Sequence, residues 1–169
     1  PTSPPSVSNG TLPIDIALPR RPFPNFAFGS ATVVELPLFE VAYTIEDGYI
    51  PLHGDYIELT EKTGLFLKAF MTNKLNTSGS TILVDFATEF NSSAVAPDKP
   101  TTVKYRSTGI FDSSSSVFPT QNVLEGLLRA AFKGENLMEY ITALQELPGQ
   151  NTFSSTLGVC FNCEVSSGD

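Results

Sequence analysis

The sequence is poor in the residues that carry most protein chemistry. Its 169 residues include no tryptophan, one histidine, two cysteines and ten lysines and arginines, against 18 aspartates and glutamates. Nucleic-acid binding requires a positive surface that displaces counterions. The net charge of −8 and the scattered basic residues argue against such a surface. The same acidic balance opposes docking on anionic lipid. No apolar run approaches the ~20 residues of a membrane-spanning helix. We therefore predict no nucleic-acid partner and no membrane span in this segment.

Catalytic motifs are also lacking. His53 lies in a loop rich in glycine and proline, which is typical of a surface residue. Ser-His-Asp chemistry would depend on it alone, and no Gly-x-Ser-x-Gly motif accompanies it. The carboxylates Asp47, Asp55, Glu58 and Glu61 do not follow the spacing of a calcium loop. The sequence predicts no catalytic, cofactor-binding or metal-binding residue.

The two cysteines form a Cys-x-x-Cys pair at the end of the last predicted strand. In thioredoxin-like enzymes such a pair begins a helix, but no helix follows here. Two thiolates are also too few for a structural zinc site. We predict a small disulfide between Cys160 and Cys163. The alternative is that each bridges to another cysteine, outside this sequence. Residues three apart in a strand lie ~10 Å apart at Cα, so this disulfide requires a turn at Phe161-Asn162.

Proline is concentrated at the start of the chain. Residues 1–30 contain seven of the thirteen prolines, which favours an extended arm or linker. Within it, apolar side chains alternate along one edge, at Leu12, Ile14, Ile16 and Leu18. An extended segment with one apolar edge can add to a free sheet edge. We expect this arm to dock on its own domain or on the next copy of the chain.

Hydrophobic periodicity predicts alternating strands and helices in the remainder. We predict strands at about 33–45, 81–90, 102–111 and 153–161, and helices at about 55–75, from 120 to a stop at 134, and from 136 to 148. Pro37 implies an edge or bulge near the start of the first strand. Asn136 and Glu139 resemble a capping box for the last helix. Asp85 and Glu89 are placed to pair across strands with Lys104 and Arg106.

These elements predict an α+β fold. We expect a two-layer sandwich in βαββαβ order, with a four-stranded antiparallel sheet and helices packed on one face. The predicted domain covers residues 31–163, preceded by the Pro-rich extended N-terminal arm at 1–30 and followed by a polar tail at 164–169. The chain begins with neither a methionine nor a signal peptide, which is typical of a mature chain or a fragment.

One family resembles this order of elements. The stretch Gly109-Ile110-Phe111-Asp112, leading into the helix from Val123 to Phe132, is similar to a strand and the second main helix of the SEA domain. That resemblance implies a module of extracellular or membrane-tethered glycoproteins. Many SEA domains cleave themselves at a Gly-Ser bond in the turn between the two central strands. The motif Gly79-Ser80-Thr81-Ile82 comes before the second predicted strand instead, so we expect an uncleaved turn.

Three triplets match the acceptor pattern for N-linked glycans. They begin at Asn9, Asn76 and Asn91, and all three fall in the predicted arm or in predicted loops, where a glycan has room. Asn91, in a predicted loop over 91–100, is the one we expect to be occupied. The placement favours a secreted or cell-surface location.

The function predicted from these observations is structural. We expect a non-enzymatic structural or adhesive module of an extracellular glycoprotein, for example a subunit of a matrix, filament or other polymer. Its partners would be other copies of itself, other extracellular proteins and N-linked glycans, with no cofactor. The alternative is an extracellular ligand-binding protein or hydrolase that uses a groove between helices and sheet.

Overall fold

The computed structural model describes residues 31–46, 50–76, 81–96, 99–112, 114–115 and 118–163. The predicted arm with Leu12, Ile14, Ile16 and Leu18, the acceptor Asn9 and the polar tail lie outside the described residues. So do Gly79 and Ser80, which precede the second predicted strand in the sequence.

Over the described residues the fold is α+β, with one antiparallel sheet and three α-helices. In chain order the elements are β1 Ala31–Glu35, β2 Phe39–Ile45, α1 His53–Asn76, β3 Leu83–Ala94, β4 Thr101–Asp112, α2 Gln121–Ala131, α3 Gly134–Gln145 and β5 Thr156–Phe161. A short 3₁₀ helix, Thr152–Ser155, leads into β5. The sheet therefore has five strands among the described residues, where the sequence predicted four.

The additional strand arises because the first predicted strand is interrupted. Pro37 lacks a backbone N–H, so the chain leaves regular pairing between β1 and β2. Both pieces pair with β4: β1 with residues 108–112 and β2 with residues 101–105. Between them, Leu36 N donates to Ser107 O at 3.0 Å. β1 and β2 thus lie end to end along a single partner strand.

β4 is the centre of the sheet. It pairs along one side with β1 and β2 and along the other with β3, while β5 pairs with β2. Every pairing is antiparallel. β3 is bulged twice, between Leu83 and Asp85 and between Phe90 and Ser92. Among the described strands, β1, β3 and β5 each pair on one side only.

The hydrophobic core lies between the three helices and one face of the sheet. Alternation along β2 turns Phe39, Val41 and Tyr43 inward, as the sequence pattern predicted. Helical spacing turns an apolar stripe of each helix toward them. The buried helical side chains of this core include Leu59, Leu67, Phe70, Met71, Leu124, Leu128, Ala131, Tyr140 and Leu144.

A predicted helix cap and a predicted ion pair were wrong. Asn136 does not cap α3, which begins two residues earlier at Gly134 with a φ of +57°. Glycine adopts that angle without strain, so the chain turns there from α2 directly into α3. Asn136 Nδ2 instead donates to Ala130 O at 3.2 Å, which satisfies a carbonyl at the end of α2. The predicted cross-strand pairing of Asp85 is also wrong: it lies opposite Ile110, and its carboxylate is 3.2 Å from Lys68 Nζ of α1.

Candidate functional site

Four hydroxyl groups meet in the middle of the core. Tyr43 Oη lies 2.7 Å from Tyr105 Oη and 2.7 Å from Tyr140 Oη, and Tyr140 Oη lies 2.7 Å from Thr63 Oγ1. All four residues have no exposed surface. Each hydroxyl can both donate and accept, so the group satisfies its polar atoms internally, as buried hydroxyls require. We call these four side chains the hydroxyl cluster.

The cluster joins both layers of the fold. Tyr43 comes from β2 and Tyr105 from β4, on the inward face of adjacent strands. Thr63 belongs to α1 and Tyr140 to α3. Tyr43, Tyr105 and Tyr140 follow the apolar periodicity of their elements, so the sequence placed them in the core without showing that they meet. Thr63 lies four positions from both Leu59 and Leu67, so it is a polar residue within the apolar stripe of α1. That position is the sequence feature that indicates its burial.

Aromatic rings enclose the cluster. Phe153 meets the Tyr43 ring edge-on, with centroids 5.1 Å apart. Phe132 meets the Tyr140 ring at 86° and 5.1 Å, and Phe66 lies 4.9 Å from the same ring. Such contacts stabilise a core beyond simple burial. They also separate the four hydroxyls from bulk water.

Burial dominates the electrostatics of the cluster. It raises the pKa of Tyr140 to about 12, against the lowering effect of hydrogen bonds from Thr63 and the other tyrosines. Burial likewise raises the pKa of Tyr43 and of Tyr105 well above the ordinary value, because a phenolate would lose its hydration. The three phenols therefore remain protonated at neutral pH. Their chemistry here is hydrogen bonding between layers.

A second polar group fixes the start of α1 to the segment before β5. Asp55 Oδ2 accepts hydrogen bonds from Leu52 N and Thr152 Oγ1, both at 2.8 Å. Asn151 Nδ2 donates to Glu58 Oε1 at 2.8 Å and to Asp55 O at 3.2 Å. Asp55 is the third residue of α1, and its carboxylate accepts from the N–H of the residue before the helix, as the acidic residue of a capping box does. The helix dipole also favours a negative charge there. We call Asp55, Glu58, Asn151 and Thr152 the polar latch.

The cysteines lie at the end of β5. Cys160 and Cys163 are joined by a disulfide, and their Cα atoms are 5.7 Å apart. The chain turns between them at Asn162, whose φ of 49° is an angle that asparagine tolerates better than most residues. Asn162 Oδ1 accepts from Glu40 N at 2.7 Å, and Asn162 N donates to Glu40 O at 2.6 Å. The turn that a disulfide requires is thus held against β2.

An open surface cavity of about 620 Å³ lies beside this turn. Its lining includes Glu40 of β2, Asn162 and Cys163, together with Lys99 just before β4 and Lys104 within β4. It is separate from the hydroxyl cluster, whose residues do not line it.

The other residues singled out in the sequence are dispersed. His53 is the exposed first residue of α1. Asn76 is the half-buried last residue of the same helix. Asn91 lies inside β3 and not in a loop, because β3 continues to Ala94. The structure does not bring these residues together.

Within the described ranges, no three histidine, cysteine, aspartate or glutamate side chains lie close enough to bind one metal ion. None of the helices in this part of the chain combines the length and the apolar character that crossing a bilayer requires. Comparisons with protein-family models, with curated proteins and with solved structures found no match to this chain.

Proposed function

We propose that this chain is a non-enzymatic structural or adhesive module of a secreted or cell-surface glycoprotein. In this role the folded domain acts as a rigid unit. The arm at 1–30 docks on a sheet edge of the same domain or of the next copy. Its partners are further copies or other extracellular proteins.

The observation that carries this proposal is the filled space between helices and sheet. An enzyme or ligand-binding protein of this architecture would use a groove there, lined by polar side chains that point into it. In this chain the hydroxyl cluster and its surrounding rings occupy that space, and the cluster hydroxyls bond to one another. A fully hydrogen-bonded cluster of this kind rigidifies the core around it, which suits a load-bearing or adhesive unit.

The SEA-like arrangement is part of the same proposal. Counted as one interrupted strand, β1 and β2 give the order βαββαβ with α2 and α3 as a helix pair before the last strand. That strand then lies between β4 and β5, and β3 lies on the far side of β4. This is the neighbour order of a split βαβ fold. It supports the likeness to extracellular SEA modules that the residues at 109–132 first indicated.

The extracellular setting draws support from the disulfide. Disulfides persist in oxidising compartments and are rare where thiols are kept reduced. The bond between Cys160 and Cys163 is compatible with such a compartment, and the three acceptor triplets agree with passage through a secretory pathway.

The cavity beside Asn162 favours a second candidate function, extracellular ligand binding. Lys99 and Lys104 give it two cationic groups on an acidic chain, which fits an anionic saccharide. Glycan-array binding by the wild type that disappears in the variant Lys99→Ala/Lys104→Ala would favour this alternative. Equal, absent binding in both would favour the structural role.

The structural role is tested by removing the arm. Two variants are compared with the wild type. One lacks residues 1–30, and the other is full-length with Leu12, Ile14, Ile16 and Leu18 each changed to serine. Melting temperature and sedimentation give stability and assembly size together. A lower melting temperature at unchanged size means that the arm docks on its own domain, and loss of assembly means that it docks on the next copy. If neither quantity changes in either variant, the arm is only a linker and the proposed assembly role fails.

A further inference from the structure

The acceptor Asn91 occupies an unusual backbone position. Phe90 pairs with Tyr105 and Ser92 pairs with Lys104, so Asn91 is the extra residue of the second bulge in β3. It is exposed, and its Nδ2 donates to the adjacent Ser92 Oγ at 3.2 Å. A bulged residue is left out of the ladder of paired residues. A substituent on Asn91 therefore leaves the pairing of β3 with β4 in place.

Asn76, the other acceptor within the described residues, differs. Its Oδ1 accepts a hydrogen bond from Leu83 N at 3.1 Å, which ties the end of α1 to the start of β3. It is also half-buried. Asn91 is thus the better acceptor of the two because its side chain is exposed and is not used to hold two elements together.

Within the described residues, the edge of β3 that carries Asn91 has little protection besides its bulges. β3 pairs with β4 on one side and with no other described strand on its second side. From Phe90 to Ala96 the sequence has neither a charge nor a proline, the two features that most often prevent pairing of free edges. Phe90 and Val95 are 41% and 45% exposed. A free edge with exposed apolar side chains and no charge offers its backbone groups to another chain.

We propose that Asn91 carries an N-linked glycan that shields the free edge of β3 from strand addition. The proposal rests on the secreted location proposed above. In the modification, Asn91 Nδ2 bonds to the anomeric carbon of an oligosaccharide activated as a lipid diphosphate. The bond from that carbon to the diphosphate oxygen breaks, the diphosphate leaves with the electron pair, and the amide loses one proton to the transferase.

The glycan acts by bulk and hydration. A strand adding to β3 would lie about 4.8 Å from it, and a glycan on Asn91, near the start of this segment, fills that space. Charged side chains at the free edges of other sheets likewise prevent pairing with a second chain. Self-association of this chain is then directed away from β3, toward the β1 and β5 side of the sheet.

The test uses the full 169-residue chain, secreted from eukaryotic cells behind a cleavable signal. Intact mass and peptide mapping, before and after enzymatic removal of N-glycans, report which asparagines are occupied. Sedimentation over a range of concentrations reports association. The variants are Asn91→Gln, which removes the glycan, Asn91→Lys, which removes it and places a charge at the edge, and Asn76→Gln as a matched control. Thermal melting confirms that each variant is folded.

We expect glycan on Asn91 of the wild type and its loss in both Asn91 variants. Asn91→Gln should form larger, concentration-dependent species, whereas Asn91→Lys and Asn76→Gln should keep the wild-type size. A bare Asn91 in secreted protein overturns the inference and leaves the proposed function standing. Wild-type size for a folded Asn91→Gln overturns the shielding role, as does equal association of Asn91→Lys. If the chain carrying a signal is not secreted, the proposed location and this inference fail together.

Discussion

At the scale of single residues, the hydroxyl cluster matters most. A buried hydroxyl without a partner costs free energy, so tyrosines in a core are tolerated only where other polar atoms meet them. Tyr43 is central because it bonds both Tyr105 and Tyr140. The geometry of these bonds also fixes how β2, β4 and α3 sit relative to one another.

Removing the central hydroxyl should reduce stability. We expect Tyr43→Phe to lower the free energy of unfolding by about 1–3 kcal/mol, since it leaves two buried phenols with fewer partners. The matched control is Tyr56→Phe, at a half-buried tyrosine outside the cluster, with an expected change within about 0.5 kcal/mol. Urea denaturation followed by circular dichroism measures both. Equal effects of the two substitutions would argue against a special role for the cluster.

The same residues predict sensitivity to alkaline pH. Because burial raises the pKa of Tyr140 to about 12 and raises those of Tyr43 and Tyr105, the folded state holds protons that the unfolded state releases above pH ~10. Stability is therefore fully present below that pH and falls as pH rises further, by about 1.4 kcal/mol per unit for each tyrosine.

Urea unfolding between pH 8 and 11.5, with phenolate absorbance in parallel, measures this. Three of the chain's five tyrosines should ionise only together with unfolding. The variant Tyr140→Phe should show a shallower decline. Ionisation of all five phenols while the protein remains folded would contradict the prediction.

At the scale of elements, the polar latch connects the N-terminus of α1 to the 3₁₀ helix before β5. The Asp55 carboxylate accepts one hydrogen bond from Leu52 N, just before the helix, and one from the Thr152 hydroxyl near the C-terminal end of the domain. Asn151 both caps the 3₁₀ helix, through Phe153 N at 2.8 Å, and reaches Glu58. The latch therefore holds Phe153, and with it the wall of the hydroxyl cluster, in place.

Loss of the Asp55 carboxylate should weaken both the start of α1 and its attachment to the 3₁₀ helix. We expect Asp55→Ala to lower the free energy of unfolding by about 1–3 kcal/mol, through the lost helix cap and the unpaired Thr152 hydroxyl. Asp55→Asn keeps an accepting oxygen and should lose less. The exposed Glu61 on the same helix provides the control Glu61→Ala, for which we expect almost no change. A loss no greater than that of Glu61→Ala would show that the latch contributes no stability.

At the scale of the whole molecule, one core spans the described elements. Side chains from β2, β4, all three helices and the 3₁₀ helix belong to the same buried cluster. The disulfide closes the C-terminal end of this core, next to β2. A domain over 31–163 that unfolds as one unit is the expectation that follows.

Limited proteolysis of the native protein tests this. We expect the earliest cuts to fall outside residues 31–161, because cleavage inside a packed helix or strand requires it to unfold first. Mass spectrometry of the first fragments locates the cuts. Early cleavage between Val123 and Leu147, within α2 and α3, would contradict a single cooperative domain.

Several features of this protein follow from the sequence alone. Alternation and helical spacing depend only on neighbours along the chain, so they gave the α+β class, the helices and the inward residues such as Val41 and Leu128. Pro37 likewise indicated an interruption of the first predicted strand, because its missing N–H is a property of the residue itself. The Cys-x-x-Cys spacing indicated that a disulfide needs a turn, because strand geometry has a fixed rise per residue.

Other features were decided only in three dimensions. The hydroxyl cluster and the polar latch join residues 62 to 97 positions apart, and no local pattern encodes which polar side chains meet across a core. The strand that contains Asn91 continues beyond its apolar pattern because β4 offers it a pairing partner, which turned a predicted loop residue into an edge residue. Asp85 lies opposite Ile110 and contacts Lys68 of α1, because the register of β3 on β4 places Glu89, and not Asp85, opposite Arg106. Long-range contacts of this kind are set by how the layers pack, and therefore by the whole chain at once.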